Sequence, residues 1–162
     1  MSDFTSYTYL PVDDFDPFAG PALTRFLPTT PPQIEIWTAC QLGGAEASRA
    51  FNESLTLMLD GPLDQSVFVK AWTDLVQRHE ALRTTFSPNG QFMCVSEELT
   101  VPLTTHDLRQ AETTAQAETI AGLTRQEAHH LFELETGPLV RASLIQQSAT
   151  CWQFIICAHH II

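Results

Sequence analysis

The stretch from Trp152 to Ala158 is apolar at every position but one, runs for a strand's length, and ends in two histidines, His159 and His160. Such a run suits a strand covered on both faces rather than one that turns a face to water. Leu139 to Gln146 precedes it, and a turn near Ser148 joins the two as a hairpin. Strand period two sends the histidine rings to opposite faces, His160 sharing its face with Ala158, Ile156, Phe154 and Trp152. At most one imidazole can face a given substrate, and the other is buried or structural. On spacing alone, a core histidine satisfied by a backbone group is the commoner outcome. A neutral imidazole is also the natural general base at neutral pH.

Upstream, Thr30-Pro-Pro-Gln33 offers a capping hydroxyl, prolines at the first helical positions and a glutamine placed to close a capping box. A helix is expected from there to Leu42, stopped by Gly43-Gly44. Asn52 to Leu59 alternates, with Leu55, Leu57 and Leu59 on one face, and predicts a strand with that face buried. Asp64 can cap a second helix whose stripe is Phe68, Ala71, Trp72, Leu75, Val76 and His79. Short strands at 82–86 and 91–96 around Pro88-Asn89-Gly90, and a helix over 115–131, complete the reading. Residues 1–28, with four aspartates and four prolines, read as an acidic linker or arm, and 29–162 as the folded unit. A second histidine pair, His129-His130, falls in the long helix and reads as exposed or half-packed.

Eight Lys and Arg stand against 19 Asp and Glu, a formal charge of -11, so there is no basic stripe for phosphates. Neither nucleic acid nor an anionic membrane surface is expected as a partner. The four cysteines, Cys40, Cys94, Cys151 and Cys157, lack the short spacing of a structural zinc site, and no metal is expected. Free thiols and no secretory leader set the expectation of a reducing, cytoplasmic location.

Four segments, in order, carry a resemblance. Arg78-His79-Glu80-Ala81-Leu82-Arg83-Thr84-Thr85-Phe86 resembles the RHExLRTxF signature of nonribosomal peptide synthetase condensation domains. Thr30 to Trp37 is similar to that family's first helix motif, SxAQxRxW, with Gln33 and Trp37 retained. Gly137 to Ala142 looks like its GPLxRA segment, and Cys157 to Ile162 resembles the opening of HHxxxDG. The sequence ends two residues after the histidines, so the Asp and Gly of that motif lie beyond it, and the N-terminal part of such a domain is the expectation.

The resemblance implies an α/β (α+β) fold, a chloramphenicol-acetyltransferase-like half-domain with a mixed β-sheet and flanking helices. It implies amide-bond formation between an upstream acyl or peptidyl thioester and a downstream aminoacyl thioester. Both would be presented by carrier domains whose 4'-phosphopantetheine arms are the only prosthetic groups, with none bound by the domain itself. The remaining, C-terminal half of the domain would be a further partner, and the 162 residues by themselves are expected to be inactive. His160 takes the catalytic role and His159 a structural one. An arginine of the RHExLRTxF segment would pair with the motif aspartate; Arg83, at the start of a buried strand and in need of an anion, is preferred over Arg78 near the exposed end of a helix. An epimerising relative, an acyl-CoA-dependent acyltransferase and a non-catalytic docking fragment are the alternatives.

Overall fold

The structure, a computed structural model, describes residues 22–162. Most of the expected acidic linker, residues 1–21, lies outside the described residues. In chain order the elements are β1 (Leu23–Pro28), α1 (Pro31–Arg49), β2 (Asn52–Asp60), α2 (Gln65–Arg78), a 3₁₀ turn (Glu80–Arg83), β3 (Thr84–Phe86), β4 (Phe92–Ser96), β5 (Leu103–Asp107), α3 (Thr113–Ala128), β6 (Val140–Gln146) and β7 (Cys151–His159). They form a three-stranded sheet, β1-β4-β3, and a four-stranded sheet, β2-β7-β6-β5. The larger sheet is mixed: β5 runs parallel to β6, and the other pairs are antiparallel. The α/β class expected from the sequence is the class found.

The apolar run lies centrally, as its composition requires. β7 pairs on one side with β2 and on the other with β6, and a layer covers each face. On one face Trp72 and Val76 of α2 join Val140, Ala142, Leu144, Trp152 and Phe154 in a single cluster. The Trp72 indole N–H donates to the Val101 carbonyl at 3.0 Å, and the ring meets Phe154 edge-on at 5.9 Å. On the other face α3 brings Glu127 to Arg141 and Ser143 of β6. A second cluster joins Cys40, Phe86, Phe132, Leu134, Leu139, Cys157 and Ile161, where α1 and β3 meet the end of β7.

Four expectations change. Residues 23–28, read as the end of a linker, form β1, which pairs with β4, stacks Phe26 on Phe92 at 4.4 Å and closes the small sheet. α1 does not end at Gly43-Gly44; it kinks at Gly44 (φ 63°, ψ -153°) and resumes to Arg49. Leu82 and Arg83 belong to the 3₁₀ turn, so the strand begins only at Thr84. The largest change is in β2, where Leu55 and Leu57 are not buried but 54% and 41% exposed. Their register, opposite Ile156 and Phe154, puts them on the α2 side of the sheet. Yet α2 buries only Trp72 and Val76, leaving Leu75 exposed, so the outer strand keeps an open apolar face.

Candidate active site at the end of β7

The strand expected to run through His160 ends at His159, and His160 is the first residue of the turn that follows, yet the two rings still part to opposite sides. His159 is 0% exposed and packs tilted against Phe51 and edge-on to Phe132. Its backbone N–H donates to the Leu139 carbonyl at 2.9 Å. Its Nδ1 accepts from the Ile161 N–H at 3.3 Å, so Nε2 carries the hydrogen and faces Ser48 Oγ at 3.5 Å and Cys40 Sγ at 3.8 Å. Burial pushes the imidazole down to about 4, with Ser48 pulling it up and the neighbouring His160 adding to the depression. His159 is therefore a neutral ring wedged between β7 and α1, and its proton is spent on the fold.

His160 has the opposite setting. Its backbone is fixed, the N–H donating to the Phe51 carbonyl at 2.8 Å, while its side chain is 58% exposed. Nδ1 lies 2.9 Å from Glu53 Oε1 of β2. Nε2 has no hydrogen-bond partner among the described residues. Register explains the contact: Glu53 pairs with Ala158, so its side chain shares a face with Ala158 and His160. Glu53 was not singled out from the sequence; the signal was its parity with Leu55 and Leu57, once β2 is known to lie beside β7.

The first helix motif holds this end in place. Gln33 Oε1 accepts from the Thr30 N–H at 3.1 Å and the Thr30 hydroxyl at 2.7 Å, while its Nε2 donates to the Ile161 carbonyl at 2.9 Å. The capping residue thus ties the start of α1 to the backbone just beyond His160. Trp37, one turn on, lies against the β3–β4 turn. A Cβ on Gly90 (φ +68°) would come within 2.3 Å of the Trp37 ring, so only glycine serves there.

The RHExLRTxF residues have distinct tasks. Arg78 is the last residue of α2 and His79 follows it, both exposed. Arg78 makes no side-chain hydrogen bond or ion pair among the described residues. Glu80 pairs with Arg25 of β1 at 3.3 Å. Arg83 corrects an expectation. It is 6% exposed, but its guanidinium needs no anion: Nε donates to the Val76 carbonyl at 3.2 Å, Nη2 to Gln77 at 3.1 Å, and Nη1 to the carbonyls of Ser96 and Glu97. Two of these carbonyls belong to the last turn of α2, where a cation is also favoured by the helix dipole. Arg83 staples α2 to the end of β4, and of the two motif arginines it is Arg78 whose guanidinium has no partner among the described residues.

His129 and His130 follow α3 rather than lie within it, the first exposed and the second half-buried. Burial, then the Arg141 charge, pushes His130 down against the pull of Glu127 and Glu133. Beside it, burial would raise the Glu127 carboxyl, but hydrogen bonds from Arg141 (2.8 Å) and Ser143 (3.1 Å) hold it below the usual range. Burial, with Glu127 nearby, pushes the Cys157 thiol up to about 11. Cys40 and Cys94 are also raised by burial. These are inert thiols and a structural ion pair. Among the described residues no group of His, Cys, Asp and Glu could hold a metal ion, and no helix is long and apolar enough to cross a membrane.

Comparison with known proteins gives this geometry its setting. Over 138 residues the chain is 37% identical to chondramide synthase cmdD of Chondromyces crocatus, covering 84% of this chain and 4% of that protein. It is 34% identical over 140 residues to malpinin synthetase of Mortierella alpina, covering 84% of this chain and 2% of that one. Among solved structures it is similar in fold to the starter condensation domain of rhizomide synthetase RzmA, with a TM-score of 0.74 and 24% identity over 85% of this chain and 34% of that one. The chain thus spans only a few per cent of the length of these curated relatives and about a third of the solved chain. The model of the Condensation domain matches residues 24–162, and the chain belongs to the condensation-domain family.

Proposed function

We propose that this chain supplies the histidine-bearing part of a domain that forms amide bonds between thioester substrates in nonribosomal or hybrid polyketide-peptide synthesis. The observation that carries the reading is the division of labour at the end of β7: His159 is consumed by the core, while His160 offers an accessible ring on a backbone clamped to Phe51. In the reaction the acceptor amine forms a bond to the donor's carbonyl carbon as the carbon–sulfur bond breaks. The amine proton passes to His160 Nε2 and on to the departing thiolate, so charge and atoms balance. Two tethered substrates held end to end supply much of the rate through proximity, and His160 adds the proton transfer.

The partners in this reading are an upstream and a downstream carrier, each bringing its own 4'-phosphopantetheine arm, and the rest of the domain. The domain itself binds no cofactor. That solved condensation domains extend well past the matched third supports the further proposal that residues 1–162 alone do not condense substrates. A cytoplasmic location goes with this reading and with four cysteines that stand free. The free Arg78 guanidinium, rather than Arg83, is the proposed partner for the carboxylate of a complete histidine motif.

The test uses a synthetase in which these residues open a complete condensation domain, with both carriers loaded. The proposal expects a new amide, dependent on both carriers and not supported by acyl-CoA. Deuterium uptake at the donor α-carbon without amide formation would assign the epimerising reaction instead, and amide formation from acyl-CoA would assign the soluble-donor transferase.

A further inference from the structure

We infer that Glu53 is a positioning residue for His160, fixing which of its two ring nitrogens is offered to substrate. The inference rests on the proposed role of His160 and adds a residue to it. Glu53 Oε1 lies 2.9 Å from His160 Nδ1. The contact is a close approach of charge rather than a formed hydrogen bond; at that distance a carboxylate oxygen and an Nδ1 lone pair would repel, which favours the hydrogen on Nδ1 and leaves Nε2 of the neutral ring as the acceptor. That is the protonation pattern a base toward an incoming amine requires.

The register makes the contact a property of the sheet. Glu53 sits opposite Ala158 and diagonal to His160, and Asn52 before it is anchored by donating to the Ala128 carbonyl at 2.9 Å and the His130 carbonyl at 2.7 Å. His160 is itself bound to Phe51, so the two backbones that carry the pair are bonded to each other. The other titratable or charged groups around this end include His159, whose ring lies on the opposite face, and Arg49, His129 and His130, which stand beside Asn52 through the Arg49–His129 and Asn52–His130 bonds; none of them bonds to the His160 side chain. Glu53 is 69% exposed on its side chain, and its one ion-pair contact among the described residues is His160.

The experiment reads the tautomer directly. Imidazole nitrogen chemical shifts of the 162-residue chain, recorded where the ring is neutral, should show His160 as the Nδ1–H form. In Glu53→Leu the signal should move to the Nε2–H form that free histidine prefers, whereas Glu53→Gln, whose amide oxygen can still accept, should retain Nδ1–H. In the complete synthetase Glu53→Leu should lower kcat on the order of tenfold, a part of the ~10²–10⁴-fold that a positioned acid–base group contributes, and Glu53→Gln should restore most of it. A wild-type His160 in the Nε2–H form, or unchanged kcat in Glu53→Leu while His160→Ala is inactive, overturns the inference. A fully active His160→Ala overturns the reading beneath it instead.

Discussion

His159 should make this fold sensitive to mild acid, by an amount that follows from its burial. The ring is held at about 4 in the folded chain and returns to roughly 6.5 when unfolded. Because the folded-state value is the lower, the unfolded chain binds the extra proton, so stability is complete above about pH 6.5 and falls as the pH drops towards 4. The full loss is ~3 kcal/mol at ~1.4 kcal/mol per pH unit, of which about 2 kcal/mol falls between pH 7 and pH 5. His130, also depressed, contributes in the same direction, so the comparison must be with a variant that keeps it. His159→Gln retains an acceptor for the Ile161 N–H and a donor toward Ser48 but cannot take up a proton. Denaturant unfolding followed by circular dichroism at pH 7 and pH 5 should show the wild type losing about 2 kcal/mol more than His159→Gln. Equal losses in the two proteins would mean that His159 is solvated or already charged in the fold, and the division of roles at the end of β7 would lose its physical basis.

Arg83→Lys should cost about 2–4 kcal/mol, since an ammonium cannot reach four carbonyls in a fork, and the loss should not depend on salt because no ion pair is broken; a salt-dependent loss would point to a carboxylate after all. Gly90→Ala should destabilise by ~1–3 kcal/mol and shift the Trp37 fluorescence, because the new methyl would overlap the indole; an unchanged melt would contradict the close approach. The open apolar face of β2 should make the isolated chain self-associate despite its charge of -11, and Leu55→Thr with Leu57→Thr should raise the monomer fraction in light scattering; a wild type monodisperse as a monomer at high concentration would count against this.

How much could be read beforehand depended on whether the cause was local. The two-residue period of a strand, carried one step past the end of β7, made the opposite fates of His159 and His160 legible, and the cap at Thr30 and Gln33 could be named because its donors and acceptors lie three residues apart. β1 and β5 were invisible for the opposite reason. Leu23–Pro28 has no alternation and owes its strand to β4, about 70 residues away, while Leu103–Asp107 is mostly polar and held by parallel pairing with β6. The alternation of Leu55, Leu57 and Leu59 tells which residues share a face and not how far anything covers it: Leu59 packs against the core, while Leu55 and Leu57 stay exposed. Arg83 misled because its partners are main-chain carbonyls, which carry no residue code. Glu53 needed the pairing of β2 with β7 before its parity meant anything.

The division of labour at the end of β7, chemistry for the exposed histidine and the fold for the buried one, is open to one decisive measurement. It is tested most directly by condensation kinetics on the complete, carrier-loaded synthetase with His160→Ala, with the variant's melting curve measured alongside. The account predicts a ~10²–10⁴-fold fall in turnover with an unchanged melting temperature and unchanged carrier binding. Turnover within a few-fold of wild type, with the fold intact, would contradict it.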